Sequence, residues 1–244
     1  MEIFDGCARL RERSGRLDEQ ELLREMDREG ISQAAVAASD RFIAVDNDEG
    51  NRLLLEAARR SGGRLHALAS ANPWYGERAA ESLRRAFGEG CVGLYLNPAR
   101  QGFQLSESVV DQLIEVCEKS GRSVYSYTGT PVCAMPFQLA ELARRHPAVS
   151  FVMGHAAWSD FSGYDVVPAA EQAPNVLVDT SCTIWSIVAG ALDALGESRI
   201  VFCSAFPKSR ASVELAKLRR MGWNDERWRR IGLTNARTLW RVEG

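Results

Sequence analysis

Short apolar runs and longer amphipathic segments alternate along the whole chain. The short runs, rich in Val, Ile, Leu and Ala, predict eight β-strands: Glu2–Phe4, Gln33–Ala37, Leu65–Ser70, Val92–Leu96, Ser123–Tyr127, Val149–Gly154, Val176–Asp179 and Ile200–Cys203. The segments between them have apolar residues at i, i+3 and i+4 and predict helices: Leu17–Arg28, Asn51–Arg60, Ala79–Phe87, Ser106–Lys119, Pro136–Arg145 and Ser209–Arg220. Strands that alternate with helices in this way are typical of a parallel sheet.

Eight strand–helix units predict an α/β fold, namely a (β/α)8 or TIM barrel, regular or distorted, with residues 1–244 forming a single domain. An open, doubly wound sheet is the competing arrangement. Such a sheet often carries a G-x-G-x-x-G turn after its first strand, whereas this chain reads DGCAR at Asp5–Arg9. A C-terminal helical extension follows the eighth strand, and we expect its Trp223, Trp228 and Trp240 to be packing residues.

The segment Trp158–Pro174 follows the sixth strand and is longer than a minimal loop. It carries several polar or small residues, among them Ser159, Asp160, Ser162, Gly163 and Tyr164. A long loop at the C-terminal end of a barrel strand suits a lid or a pocket wall, and a short helix with an irregular entrance explains the segment equally well.

The composition is that of a globular protein, with 45% hydrophobic and 25% charged residues. A net charge of −2 and a pI near 6.0 argue against nucleic acid and anionic membranes as partners. The first residues, MEIFDGCARL, lack the pattern of a signal peptide, and no apolar run approaches the roughly 18 residues of a membrane span. Six cysteines without a secretion signal indicate reduced thiols. We expect a cytoplasmic protein and leave a homo-oligomer open.

Several blocks, spread over nearly the whole chain, resemble the amidohydrolase-related family of TIM-barrel proteins, of the amidohydrolase 2 type. Ile3–Leu10 stands where that family reads I-D-x-H-x-H, and Val201–Pro207 stands where it reads G-S-D-x-P. The other similar blocks are Asn51–Pro73, Gly90–Pro98, Ser123–Gly129, Phe151–His155, Asn175–Ser181 and Gly232–Leu239. The resemblance implies a barrel of the group that contains metal-dependent decarboxylases, hydratases and lactonases.

The metal ligands that the resemblance implies are mostly missing. In that family two His of the first strand, one His of the fifth and one Asp of the eighth hold the metal. Here those positions are Cys7, Arg9, Tyr127 and Ala205, and only His155 of the sixth strand is retained. Arginine keeps its proton and alanine has no ligand atom, so we expect no metal site of the parent type.

The residues at the strand ends suggest a different chemistry. His155 is the candidate general acid or base, because imidazole titrates near neutrality and barrel active sites lie at the C-terminal strand ends. Arg9 offers a guanidinium to an anionic substrate group, and Tyr127 offers a phenolic donor. The candidate catalytic residues are His155, Tyr127, Cys7 and Asp5, and the candidate substrate-binding residues are Arg9, Ser204, Cys203 and Trp158.

Other assignments of the same residues stay open. His155 is alternatively a pocket-lining remnant, and Asp5 and Arg9 alternatively form a purely structural ion pair. One thiol at a strand end is alternatively a nucleophile with His155 as its base. A tetrahedral zinc site is a further alternative, with the ligands Cys7, Cys182, Cys203 and His155. No C-x-x-C spacing supports either thiol-based alternative.

We therefore expect an enzyme without a cofactor that acts on a small anionic molecule at the C-terminal mouth of the barrel. Hydrolysis, lyase-type elimination and cyclisation all fit this description. The competing hypothesis is a catalytically inactive barrel that serves as a binding or partner subunit, which predicts an extended apolar surface on the barrel exterior. The enzyme is favoured because the lost ligands became Cys, Arg and Tyr rather than uniformly small apolar residues.

Overall fold

The structure is a computed structural model that describes residues 2–158 and 162–243. Eight parallel strands form one sheet in chain order, each hydrogen-bonded to the next. They are β1 Ile3–Arg9, β2 Ile31–Ala37, β3 Leu65–Ala69, β4 Gly93–Leu96, β5 Ser123–Tyr127, β6 Phe151–Gly154, β7 Val176–Asp179 and β8 Ile200–Val201. The predicted barrel is confirmed, because every strand overlaps the apolar run that predicted it. A small hairpin, Arg11–Arg13 with Arg16–Asp18, follows β1.

Helices alternate with the strands and surround them. They are α1 Glu19–Glu29, α2 Asp40–Ala44, α3 Asn47–Arg60, α4 Glu77–Gly88, α5 Pro98–Gln101, α6 Asp111–Ser120, α7 Pro136–Arg145, α8 Val166–Glu171, α9 Trp185–Leu195, α10 Ala211–Arg219, α11 Asp225–Arg229 and α12 Asn235–Trp240. Asp18 begins α1 by accepting hydrogen bonds from the first backbone N–H groups, and Gly30 ends it in the left-handed conformation. Within the described ranges, none of these helices has the length and apolar character needed to cross a membrane.

The long segment after β6 is helical where the structure describes it. A 3₁₀ turn spans Ser162–Asp165 and leads directly into α8. The short-helix interpretation therefore applies to this part of the segment. Ser159 and Asp160, which the lid interpretation also invoked, lie outside the described residues.

The first strand continues past its predicted end at Phe4, because the polar residue that follows is satisfied inside the barrel wall. The Asp5 carboxylate accepts hydrogen bonds from the backbone N–H groups of Cys7 at 3.2 Å and Ser204 at 2.8 Å. A buried carboxylate with such partners does not have to leave the sheet. The register between β1 and β2 shifts after Asp5, as in a β-bulge.

The last strand is shorter than predicted and ends at Val201. Single hydrogen bonds then connect the following segment to β1. Gly6 N donates to Phe202 O at 2.8 Å, and Arg9 N donates to Phe206 O at 2.7 Å. We call this junction between β1 and the segment after β8 the barrel seam. It is held by separate hydrogen bonds in place of a regular β-ladder.

Two apolar layers hold the barrel together, one between strands and helices and one in the barrel interior. Trp240 of α12 is fully buried in the interior layer and donates from Nε1 to the Gly6 carbonyl oxygen at 3.0 Å. Gly93 makes room for it, because a Cβ at this position would lie 2.4 Å from the indole ring. The helical extension is therefore part of the barrel core, as predicted for Trp240.

Candidate functional site

A cavity of about 450 Å³ opens at the C-terminal ends of the strands. Five of the predicted site residues line it together: Cys7, Arg9, Tyr127, His155 and Trp158. They come from β1, β5 and the segment after β6, so the barrel topology gathers residues that are far apart in the chain. A cavity of this volume suits a small-molecule ligand.

Three other predicted residues do not reach this cavity. Asp5, Cys203 and Ser204 are fully buried within the barrel wall. The Ser204 hydroxyl is hydrogen-bonded to the Asp5 carboxylate across the seam, and Cys203 belongs to the interior layer. Substrate contact by Ser204 and Cys203, and direct catalysis by Asp5, therefore stay predictions, and the structure places all three residues outside the lining of this cavity.

The buried position of Asp5 changes its acidity. Burial raises the pKa of this carboxyl from 3.8 to about 6, although the hydrogen bonds from Ser204 and Cys7 act to lower it. The negative charge of Asp179 adds to the increase. Asp5 therefore changes its charge within the barrel wall in a pH range where exposed carboxyls are already ionised.

The chain after β6 forms a left-handed turn over residues 155–158, whose φ angles are 61°, 41°, 64° and 27°. Side chains disfavour this conformation by roughly 1–2 kcal/mol per residue, so the surroundings must hold it. The Thr128 hydroxyl accepts a hydrogen bond from Ala157 N at 3.2 Å. Gly129 leaves space for the turn, because a Cβ there would lie 2.0 Å from the Ala157 carbonyl oxygen. The turn brings both His155 and Trp158 to the cavity.

A hydrogen-bond network orients the His155 ring. Its Nδ1 lies 2.8 Å from Ser181 Oγ, which lies 2.9 Å from Asp179 Oδ2. Asp179 also accepts hydrogen bonds from the Tyr125 hydroxyl at 2.6 Å and from the backbone N–H of His155 at 2.8 Å. Because an ionised carboxylate only accepts, Ser181 donates to Asp179 and accepts from His155 Nδ1–H. This assignment leaves Nε2 as the nitrogen that can accept a proton.

The same surroundings keep the His155 ring neutral. Burial lowers its pKa from 6.5 to about 4, and the positive charges of Lys208 and Arg9 lower it further, while Asp179 opposes the change. At pH 7 the imidazole is therefore an uncharged hydrogen-bond acceptor. Tyr127 packs edge-on against it, with 4.8 Å between the ring centres.

The thiols at the strand ends are protonated. Burial raises the pKa of Cys7 well above its usual value, and the negative charges of Asp179 and Asp5 act in the same direction. Burial also raises the pKa of Cys182 to about 12. Thiols of this kind are weak nucleophiles, because the thiolate is the reactive form. The electrostatics of the site therefore disfavour the thiol-nucleophile alternative.

An arginine pair shares one carboxylate at the cavity wall. Asp40 forms an ion pair with Arg9 through Oδ1 and with Arg100 through Oδ2, the latter at 3.2 Å. The alternative Asp5–Arg9 ion pair is not formed, since Arg9 pairs with Asp40 and Asp5 bonds to Ser204 and Cys7.

Lys208 supplies a third positive charge, in the segment after β8. Its Nζ donates to the Tyr127 hydroxyl at 2.6 Å and lies 2.9 Å from the centre of the Trp158 ring. An ammonium over an aromatic face is attracted by the ring quadrupole. Burial lowers the pKa of Lys208 to about 8, and the nearby charges of Arg9 and Arg100 act in the same direction. Most of the amine is charged at pH 7.

The sequence reasoning missed several residues of this site. Asp40 follows β2 and Asp179 ends β7, so their position at a strand's C-terminal end is a signal that would have identified them. Arg100 and Lys208 lie beyond the strands, where neither periodicity nor a motif marks them. Tyr125 lies on the predicted fifth strand and stacks on Tyr95 of β4, with 5.3 Å between the ring centres. Nothing in the sequence distinguished these two tyrosines from core residues.

The metal that the family resemblance implies does not fit the groups present. Arginine and alanine occupy two of its ligand positions, and three cationic side chains at the cavity oppose a further cation. Across residues 2–158 and 162–243, no three His, Cys, Asp or Glu side chains form a group that could hold a metal ion. That range includes the four proposed zinc ligands, Cys7, Cys182, Cys203 and His155.

Comparison with known structures identifies similar barrels at low sequence identity. A putative amidohydrolase from Staphylococcus aureus is 14% identical, with 99% of this chain and 100% of that chain covered and a TM-score of 0.79. A dihydroxybenzoic acid decarboxylase from Polaromonas sp. JS666, with bound manganese and the inhibitor 2-nitroresorcinol, is 14% identical, with 98% and 97% covered and a TM-score of 0.78. A putative 2-pyrone-4,6-dicarboxylic acid hydrolase from Pseudomonas putida is 15% identical, with 99% and 98% covered and a TM-score of 0.74.

The sequence itself provides the assignment to a family. None of the curated proteins matches the chain. The family model described as amidohydrolase matches residues 12–242, which leaves out the first eleven residues, including the first strand, and the last two residues. Together with the barrel and the cavity at its C-terminal mouth, this match shows that the chain belongs to the amidohydrolase family.

Proposed function

We propose that this protein is a metal-independent enzyme of the amidohydrolase family that acts on a small planar carboxylate. The observation that carries the proposal is the joint lining of one cavity by Arg9, Arg100, Lys208 and the neutral acceptor His155. The cations supply the attraction for an anion, and the imidazole supplies a proton acceptor beside it. The similar structures include proteins whose names refer to dihydroxybenzoic and pyrone dicarboxylic acids, which belong to the same chemical class.

Aromatic side chains explain the preference for a planar ligand. Tyr95, Tyr125, Tyr127 and Trp158 all line the cavity. Aromatic walls favour flat, partly apolar molecules through stacked and edge-on contacts. A carboxylated ring therefore satisfies both the walls and the cations of this site.

His155 acts as the general base in this proposal. Its Nε2 removes a proton from a bound water, which favours hydrolysis, or from the ligand itself, which favours a lyase-type reaction. The Ser181–Asp179 pair holds Nδ1–H and stabilises the imidazolium that forms. A bound anion offsets the charges of Lys208 and Arg9 and so raises the pKa of His155 when the ligand is in place.

The test combines metal analysis with turnover. We would measure metal per chain on protein purified without chelators, and assay hydroxybenzoates and carboxylated lactones with and without EDTA. We expect far less than one equivalent of metal, activity that EDTA does not change, and a loss of about 10²- to 10⁴-fold in kcat for His155→Gln. His66→Gln is the matched control, because His66 stacks on Phe4 outside the cavity. One equivalent of metal whose removal abolishes turnover would refute the proposal.

A binding or partner subunit is the second candidate, and one observation favours it. The start of α9 leaves Ile184 and Trp185 exposed, at 55% and 63%. Exposed apolar side chains that lie together are typical of interfaces. Sedimentation analysis of the wild type and Trp185→Ser would test self-association. A monomeric wild type combined with turnover that depends on His155 would rule this candidate out.

A further inference from the structure

The formal charges at the cavity do not balance. Arg9, Arg100 and Lys208 contribute three positive charges, and Asp40 contributes one negative charge. The remaining titratable groups of the lining are neutral at pH 7. Burial raises the pKa of Tyr127 to about 12 and that of Cys7 well above its usual value, while the pKa of His155 is lowered to about 4. Among the residues that the structure describes, the lining therefore carries two positive charges more than negative ones.

The excess charge is divided between two places on the cavity wall. Asp40 uses one carboxylate oxygen on Arg9 and the other on Arg100, which holds the two guanidinium groups together. Each guanidinium has five N–H donors, so donors remain for an incoming carboxylate. We call Arg9, Asp40 and Arg100 the arginine pole.

The second place is Lys208 with Tyr127 and Trp158, which we call the lysine pole. No carboxylate of the described residues lies within ion-pair distance of the Lys208 Nζ, whose hydrogen bond goes to the neutral Tyr127 hydroxyl. The arginine pole comes from β1, α2 and α5, whereas the lysine pole comes from β5 and the segments after β6 and β8. The segment of Lys208 is joined to β1 by the hydrogen bond from Arg9 N to Phe206 O, but its ammonium lies at Tyr127 and Trp158, on the β5 and β6 side of the barrel mouth.

We propose that the ligand of this cavity is a dianion, a planar dicarboxylate with one carboxylate on the arginine pole and the other on the lysine pole. This inference rests on the proposed function, because it specifies the substrate class for the same site. Water screens both poles in the free protein, and a ligand that displaces this water strengthens the remaining charge interactions. A dianion balances the charge of the lining, whereas a monoanion leaves one pole unpaired.

The experiment compares each dicarboxylate with a matched monoanion of the same shape. We would measure calorimetric Kd values at low ionic strength for the 1,2-, 1,3- and 1,4-benzenedicarboxylates and for their monoamides, in which one carboxylate is replaced by a carboxamide. We expect at least one dicarboxylate to bind ten-fold or more tightly than its monoamide. Lys208→Met should reduce this preference to about one-fold, and Lys208→Arg should retain most of it. Lys119→Met on α6 is the control, because Lys119 is exposed and lies outside the cavity.

The outcomes separate the two proposals. Equal affinity for each dicarboxylate and its monoamide would overturn the dianion inference and leave the planar-carboxylate function standing. A preference that survives in Lys208→Met would also overturn it, since the second pole would then lie elsewhere. Failure of all six compounds to bind would contradict the proposed function itself.

Discussion

Asp5 and His155 are both buried, and their pKa values are displaced in opposite directions. The pKa of Asp5 rises from 3.8 to about 6 because burial disfavours its charge. The pKa of His155 falls from 6.5 to about 4, also mainly through burial. Both groups therefore affect the stability of the fold between pH 4 and pH 6.5, and the sign of each effect follows from which state binds the proton.

In this range the folded state holds a proton on Asp5 that the unfolded state has already lost. Stability therefore falls as the pH rises, by about 2 kcal/mol over this range, at no more than about 1.4 kcal/mol per pH unit. For His155 the unfolded state holds the extra proton. Its contribution rises with pH by a similar amount, about 2–3 kcal/mol. We expect the two effects to cancel, so that these groups leave the wild-type stability nearly independent of pH in this range.

Single substitutions should reveal each contribution. In Asp5→Asn the amide oxygen can still accept the backbone N–H groups of Cys7 and Ser204. This variant should therefore gain about 2 kcal/mol relative to the wild type on going from pH 4 to pH 6.5. His155→Gln should lose a similar amount of stability relative to the wild type over the same range. The stability of the double variant should again be nearly independent of pH.

The assay is urea unfolding followed by tryptophan fluorescence at pH 4, 5, 6 and 7. The difference between variant and wild type at each pH removes the contribution of all other titrating groups, which the proteins share. If the unfolding free energies of the wild type, the two single variants and the double variant all change with pH in the same way, the assigned displacements of both pKa values are incorrect and the reasoning fails.

Two further predictions concern packing and thiol exposure. Gly93→Ala should destabilise the protein by about 1–3 kcal/mol in urea unfolding, because the new methyl overlaps the Trp240 ring. Trp240→Phe in the Gly93→Ala background should cost less than the sum of the two single changes, and strict additivity would contradict the contact. Ellman's reagent should modify native Cys133 first and Cys182 more slowly, while Cys91, Cys117 and Cys203, which are buried outside the cavity, react only on unfolding. Rapid reaction of all six thiols would show that their burial is misassigned.

The strands and the location of the site were predictable because they depend on local pattern and topology. Apolar runs mark buried parallel strands, and parallel strands in a barrel end on a common face. Arg9, Tyr127 and His155 could therefore be assigned to one cavity from their positions alone. His155 lies in the left-handed turn after β6, and its side chain still lines the cavity at the strand ends.

The partners of these residues could not be predicted in the same way. Asp5 and Arg9 are close in sequence, yet Asp5 bonds to Ser204, which is 199 residues away, and Arg9 pairs with Asp40. Such contacts depend on which loops meet at the barrel seam and mouth, and the hydrophobic pattern carries no information about this. The position of Lys208 in the cavity also depends on how a loop folds at the barrel mouth, because its segment lies beyond the last strand.

The two poles of the cavity come from different halves of the chain. The arginine pole is complete by residue 100, and the lysine pole begins at Tyr127. A genetic crossover between β4 and β5 would therefore exchange one recognition element and leave the other intact. Recombination between two related barrels can therefore combine the arginine pole of one parent with the lysine pole of the other. A cavity that recognises a new pair of substrate groups does not require a new fold.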